Sequence, residues 1–349
     1  MIDALILCEG KFGTTTGKTA NGLVRRSHKY RIVGVIDSSK TGQDAGMSLN
    51  GEKNGIPIFR DVADALSNTK PKCLIIGVAT VGGKLPPEFR PVIADALVRG
   101  IDVVSGLHEY LSDDEEFKAL AKKHGATLTD IRRPPPLDKR HPFGDRARHI
   151  GALRIPILGT DSAIGKRTSA WELVDALNEA GIKAVLVATG QTGLLQGAWY
   201  GVPLDSIPGD YMVGELENAI MAAYEQESPQ VIVVEGQGAA SHPAYVCGSR
   251  AIMAASAPSG IVLQHAPKRT TRNYHPELKL PMAGIERERM LIEAFSGSKV
   301  VALTINHEQM TRGEVERTAE EWEKKYGLPA CDPLWQGCGK LVEAIRKML

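Results

Sequence analysis

Short runs of consecutive apolar residues recur along the chain, separated by longer stretches of helical periodicity. In the first third, Ala4 to Leu7, Arg31 to Ile36, Lys72 to Val78 and Ile101 to Val104 are predicted strands. Later, Arg154 to Leu158, Ala184 to Ala188, Val231 to Val234, Gly260 to Gln264 and Lys299 to Ile305 read the same way. The later runs are continuous rather than alternating, the pattern of strands buried on both faces. The expected fold class is therefore α/β, with two doubly wound, mostly parallel-sheet domains. Asp37 closes the second strand where a dinucleotide fold presents an acid to a ribose, so the first domain is expected to be Rossmann-like.

Between the two series lies Asp130-Ile-Arg132-Arg133-Pro134-Pro135-Pro136, followed by Lys139, Arg140, His141 and Pro142. Consecutive prolines fix an extended backbone that cannot be helical. The expected division is a Rossmann-like domain over 1–125, a Pro-rich basic linker over 126–150, and a P-loop NTPase-like domain over 151–349.

Composition narrows the class without naming a function. A chain of 349 residues with 43% hydrophobic content buries a sizeable core. A net charge of +1 gives no global electrostatic reason to bind nucleic acid or an anionic membrane, and neither partner is expected. The five cysteines have no C-x-x-C spacing, which suits a reducing cytoplasm and argues against a zinc cage. No apolar run approaches a membrane span. A cytoplasmic homo-oligomer acting on small molecules is expected.

The chemistry starts at Gly159-Thr160-Asp161-Ser-Ala-Ile-Gly165-Lys166-Arg167-Thr168, a glycine-rich turn between a strand and a helix. Such a turn aims backbone N–H groups and a helix N-terminus at one anion, and the lysine supplies charge. The usual spacing is G-x-x-x-x-G-K-[ST]; here five residues separate the glycines and Arg167 stands where a hydroxyl normally holds Mg²⁺. The loop is expected to hold a phosphate without cutting it, and no metal is expected. A second turn, Gly10-Lys-Phe-Gly13-Thr-Thr-Thr-Gly17-Lys18-Thr19, resembles a P-loop but is too short between Gly13 and Gly17. It reads either as an anion-holding turn or as a flexible connection.

Glu235 ends a strand and is followed by Gly-Gln-Gly and then His242, so both are candidate general bases. Gly190-Gln191-Thr192-Gly193 offers N–H groups for an oxyanion, with Gln191 a candidate substrate contact. Lys268, Arg269 and Arg272 follow another strand and suit a small acidic substrate, because guanidinium forks match carboxylates. No G-x-S-x-G elbow and no H-E-x-x-H metal motif occurs.

The phosphate loop together with Val234-Glu235-Gly236-Gln237-Gly238 is similar to the corresponding motifs of dethiobiotin synthetase-type P-loop proteins, except that a threonine follows the lysine there. Over nearly its whole length the chain resembles the D-glutamate N-acetyltransferase-like family. That resemblance is carried by Lys18-Thr19-Ala20 with Arg25, Gly77-Val78-Ala79 with Gly82-Gly83-Lys84-Leu85-Pro86-Pro87, Gly106-Leu107-His108 with Ser112-Asp113-Asp114, the P-loop, and Glu235-Gly236-Gln237-Gly238 with His242-Pro243. It implies transfer of an acetyl group from acetyl-CoA to the amine of an acidic amino acid, D-glutamate in the first instance. On this reading the coenzyme phosphates lie on Gly159, Thr160, Asp161, Gly165, Lys166, Arg167 and Thr168. The competing expectation is an ATP-dependent ligase or kinase acting on a small carboxylate, with Mg-ATP on the same loop and Mg²⁺ at Thr168.

Overall fold

A computed structural model describes every residue except His275, and the side chains of all the others except Val81 and Pro276. Among the described residues, thirteen strands form two parallel sheets. The first contains β1 (Ile2–Leu7), β2 (Tyr30–Ile36), β3 (Ile58–Phe59), β4 (Cys73–Ile76), β5 (Asp102–Ser105) and β6 (Leu128–Asp130) in the order 3-2-1-4-5-6. That is the order of a Rossmann sheet, with its switch point between β1 and β4. The second contains β7 (Leu153–Gly159), β8 (Ala184–Ala188), β9 (Tyr200–Gly201), β10 (Val231–Glu235), β11 (Ile261–His265), β12 (Val300–Ile305) and β13 (Ala330–Cys331) in the order 13-12-11-7-10-8-9.

The chain divides into two compact units. One comprises Met1–Pro135 with Gln191–Ala198; the other comprises Pro136–Gly190 with Trp199–Leu349. Each has its own apolar core, because the central strands are buried on both faces: Ala4 to Leu7 and Leu74 to Ile76 in the first, Val231 to Val234 and Ile261 to Leu263 in the second. The helix Gln191–Gln196 lies in the N-terminal unit although the preceding strand, β8, lies in the C-terminal one. Among the described residues, no helix is long and apolar enough to cross a membrane.

In the N-terminal unit Asp37 does end β2 and is fully buried, but its carboxylate faces the glycine-rich turn. It accepts the amides of Gly10 (3.1 Å) and Phe12 (3.2 Å), as well as the amide and hydroxyl of Ser39. Asn21 accepts the Gly13 amide at 3.0 Å and donates to the Thr14 carbonyl at 2.9 Å. The Gly10, Phe12 and Gly13 amides of the turn that resembles a P-loop are thus taken by the protein's own side chains.

Candidate functional site

In a parallel sheet the loops after the strands gather at one edge. β7 lies between β10 and β11, so the phosphate-loop sequence stands directly beside the strand that ends in Glu235. The loop runs from Gly159 to Gly165 and feeds the helix Lys166–Glu179. Gly165 turns the chain at φ +92°, a left-handed conformation that favours glycine.

All the carbonyls from Thr160 to Ile164 are held by side chains. Arg272 donates to the Thr160 carbonyl (3.2 Å), Lys166 to that of Asp161, Arg269 to those of Ser162 (2.9 Å) and Ala163 (3.2 Å), and Asn306 to that of Ile164 (2.9 Å). With the carbonyls so directed, the amides of Asp161, Ser162, Ala163, Ile164 and Gly165 meet no acceptor among the described residues. That is the donor arrangement of an anion-binding loop. Lys166, 5% exposed, also donates to the Gly238 carbonyl at 2.9 Å, leaving its third donor for a ligand. Burial lowers its pKa to about 8, against the raising effect of Asp161, Glu288 and Glu235. Arg167 and Thr168 are half-buried on the first helical turn, and the Ser169 hydroxyl donates to Gln264 at 2.5 Å. Thr160 bonds His265 Nδ1 at 2.7 Å, and burial lowers the His265 pKa to about 4, so that imidazole is neutral.

Asp161 is fully buried and is the anchor of the loop. Its Oδ2 accepts from Arg269 (3.1 Å) and from the Asn273 amide (2.7 Å), while its Oδ1 lies 4.0 Å from Arg272 and 3.7 Å from His242 Nε2. Arg272 also donates to the carbonyl and hydroxyl oxygens of Ser241, at 3.3 and 2.8 Å. Buried Glu288 takes the amides of Ala240 and Ser241. Arg269 further pairs with Glu308. Arg269 and Arg272, expected to hold substrate carboxylates, here have their guanidinium forks turned onto the loop or its neighbours. Lys268 differs, being partly exposed and paired, among the described residues, with Glu314 at 2.7 Å. Surface pairs of this kind are worth about 1 kcal/mol or less, so Lys268 remains available to an anion.

The two expected bases also separate. His242 Nδ1 accepts the amides of Ala244 and Tyr245, each at 3.1 Å, so the proton of the neutral ring lies on Nε2 and no lone pair is left for a substrate. Its Nε2 is buried against Asp161, and the ring stacks on Tyr245 with centroids 4.6 Å apart. In this arrangement the ring, expected as a base, is packed against the loop. Glu235, 6% exposed, is held differently: Oε2 accepts the amides of Thr189 (3.0 Å) and Gly190 (3.3 Å), and Oε1 accepts none among the described residues. Burial raises its pKa, opposed by the nearby Arg167, the two amides and Lys166. A desolvated, anchored carboxylate with one oxygen available is a competent general base.

The Gly190 amide, expected at an oxyanion, is therefore already taken. Gln191 sits in the N-terminal unit, 2% exposed, where it donates to the hydroxyls of Thr19 (2.6 Å) and Thr192 (2.9 Å). Its amide nitrogen is thus taken by neighbouring hydroxyls, whereas its buried Oε1 meets no hydrogen-bond partner among the described residues.

Gly236 shows how tightly the acid strand is fitted to the loop. A Cβ there would lie 1.9 Å from the Ile157 carbonyl oxygen and 2.9 Å from the Lys166 side chain. Gly236→Ala is expected to force β10 and β7 apart and to cost about 1–3 kcal/mol, read as a lower midpoint in chemical denaturation.

Residues 141–342 match the family model described as "Domain of unknown function (DUF1611_C) P-loop domain", and residues 38–134 match "Domain of unknown function (DUF1611_N) Rossmann-like domain". The chain is 34% identical over 277 residues to a protein of Tritonibacter scottomollicae named D-glutamate N-acetyltransferase, covering 78% of this chain and 81% of that one. It is 29% identical over 274 residues to a Pseudoalteromonas protein of the same name, covering 78% and 80%. Its fold is similar to that of a DUF1611 family protein from Anabaena variabilis, with a TM-score of 0.91 and 28% identity over 99% of this chain and 100% of that one. The chain belongs to the DUF1611 family of D-glutamate N-acetyltransferase-like proteins, built from a Rossmann-like domain and a P-loop domain.

Proposed function

We propose that this protein transfers the acetyl group of acetyl-CoA to the amine of D-glutamate. The observation that carries the reading is the pairing, on adjacent strands, of a loop of unaccepted amides with a buried carboxylate of raised pKa. The names of the two relatives supply the substrate class. In this scheme the loop amides, Lys166 and Arg167 hold a phosphate of the coenzyme, and Lys268 attracts a substrate carboxylate. The amine is protonated at neutral pH and is not nucleophilic, so Glu235 Oε1 takes its proton. The nitrogen then attacks the thioester carbonyl; the C–N bond forms, the C–S bond breaks, and the coenzyme thiolate leaves and takes up the second proton that the nitrogen gives up on becoming an amide. The phosphate is a handle rather than a reactant, which fits an arginine at the position where hydrolases keep a Mg²⁺ hydroxyl.

Calorimetric titration with CoA and, separately, with Mg-ATP tests the reading; binding of Mg-ATP without binding of CoA would contradict it. Lys166→Ala is expected to raise the KM for acetyl-CoA about tenfold or more, since a charge-assisted phosphate contact is lost. In the parent protein the same KM should climb as the pH passes above about 8, where the buried lysine loses its charge. Arg269→Ala should also raise the KM for acetyl-CoA, because it releases the loop. A rise confined to the KM for the amino acid would return Arg269 to the substrate.

A further inference from the structure

The ends of β12 and β13 carry a group that no step above uses. His307 follows β12, and Asp332 follows β13 directly. Asp332 is buried; its Oδ1 accepts the amides of Leu334 (2.9 Å) and Trp335 (3.1 Å), and its Oδ2 lies 2.6 Å from His307 Nδ1. With Nδ1 donating to the carboxylate, Nε2 meets no partner among the described residues and is left for a ligand. The imidazole lies flat on the Trp335 indole, with centroids 3.9 Å apart and planes 8° apart, and the Arg312 guanidinium is 5.1 Å from the same indole. Arg312 is exposed and Trp335 half-buried, so the stack opens to solvent. It is also tied to the phosphate loop: Asn306, just before His307, donates to the Ile164 carbonyl, and Glu308, just after it, receives Arg269.

We propose that His307, Trp335 and Arg312 form the subsite for the nucleoside end of the coenzyme, taking its purine and its 3′-phosphate. The inference rests on the reading of the Gly159 to Gly165 loop as a coenzyme-phosphate cradle. Glu235 ends β10 on one side of β7, whereas β11, β12 and β13 lie on the other. With strands about 4.8 Å apart, β12 stands about 10 Å from β7. With the pyrophosphate on the β7 loop and the thioester turned toward Glu235, the β12 side is left for the nucleoside. The imidazole, backed by the indole, offers its other face to a purine. Arg312 offers a planar fork to a phosphate, and His307 Nε2 an acceptor to a ribose hydroxyl.

Titration of the full chain with CoA, 3′-dephospho-CoA and adenosine 3′,5′-bisphosphate tests the subsite. The parent protein should prefer CoA to 3′-dephospho-CoA about tenfold or more, and Arg312→Ala should erase that preference. His307→Gln should weaken adenosine 3′,5′-bisphosphate binding, and its effect on turnover should appear in the KM for acetyl-CoA rather than in kcat. Equal affinity of the parent for CoA and 3′-dephospho-CoA, or an Arg312→Ala variant that keeps the preference, overturns the proposal. So does a collapse of kcat in His307→Gln at unchanged KM, which would make the imidazole a proton-transfer group. In each of those cases CoA binding by the parent persists; its complete absence would instead remove the transferase reading itself.

Discussion

Glu235→Gln is expected to lower kcat for acetyl transfer about 10²- to 10⁴-fold while leaving the KM for acetyl-CoA near its original value. The amide is nearly the same shape as the carboxylate, and its oxygen can still accept the amides of Thr189 and Gly190 that hold Oε2. The fold should therefore survive, and the loss should report chemistry. The pH profile gives an independent readout. Burial raises the Glu235 pKa, and only the ionised form can take a proton from the amine. In the parent protein kcat/KM should fall as the pH is lowered through that raised pKa, above the ordinary range for a glutamate, and Glu235→Gln should lose that acidic limb. A variant as fast as the parent, with the limb intact, would remove Glu235 from proton transfer.

Asp161→Ala is expected to be the most damaging change to the fold of the C-terminal unit. The carboxylate is fully buried and compensates Arg269 and Arg272, whose side chains are 13% and 4% exposed. Removing one member of a buried ionic group leaves uncompensated charge and costs about 3–5 kcal/mol. The thermal transition of that unit should fall by about 6 °C or more. The surface pair of Lys268 and Glu314 provides the contrast: Lys268→Ala should change stability by less than about 1 kcal/mol. Comparable thermal shifts for the two variants would mean that the Asp161 network is not what holds the loop.

The apolar periodicity located nine strands to within two residues at each end, because a central parallel strand must be apolar on both faces. It missed β3, β6, β9 and β13, edge strands of two or three residues that are too short to show a period. The strand-tip positions of the phosphate loop and of Glu235 were legible, and with them the adjacency of loop and acid. Partner choice was not. An arginine after a strand looks the same in sequence whether its fork meets a ligand or the carbonyls of Ser162 and Ala163, as that of Arg269 does. The His242 tautomer depends on two amides placed only by the folded turn. His307 and Asp332 escaped notice because 25 positions separate them; the available signal was that each falls within two residues of the end of a strand. The placement of Gln191–Gln196 in the N-terminal unit has no local sequence signal, since the β8 strand before it belongs to the other unit.

Arg167 stands where a hydrolytic phosphate loop keeps its Mg²⁺ hydroxyl, and the account turns on the loop's carrying a coenzyme. The most direct measurement is thiol release by the purified protein supplied with acetyl-CoA and D-glutamate, with the N-acetylated product followed alongside. The account predicts release in step with product, sharply reduced in Glu235→Gln and restored toward the parent rate in Lys166→Ala only at high acetyl-CoA. Thiol release no faster with D-glutamate than without it, from a protein that binds Mg-ATP, would contradict it.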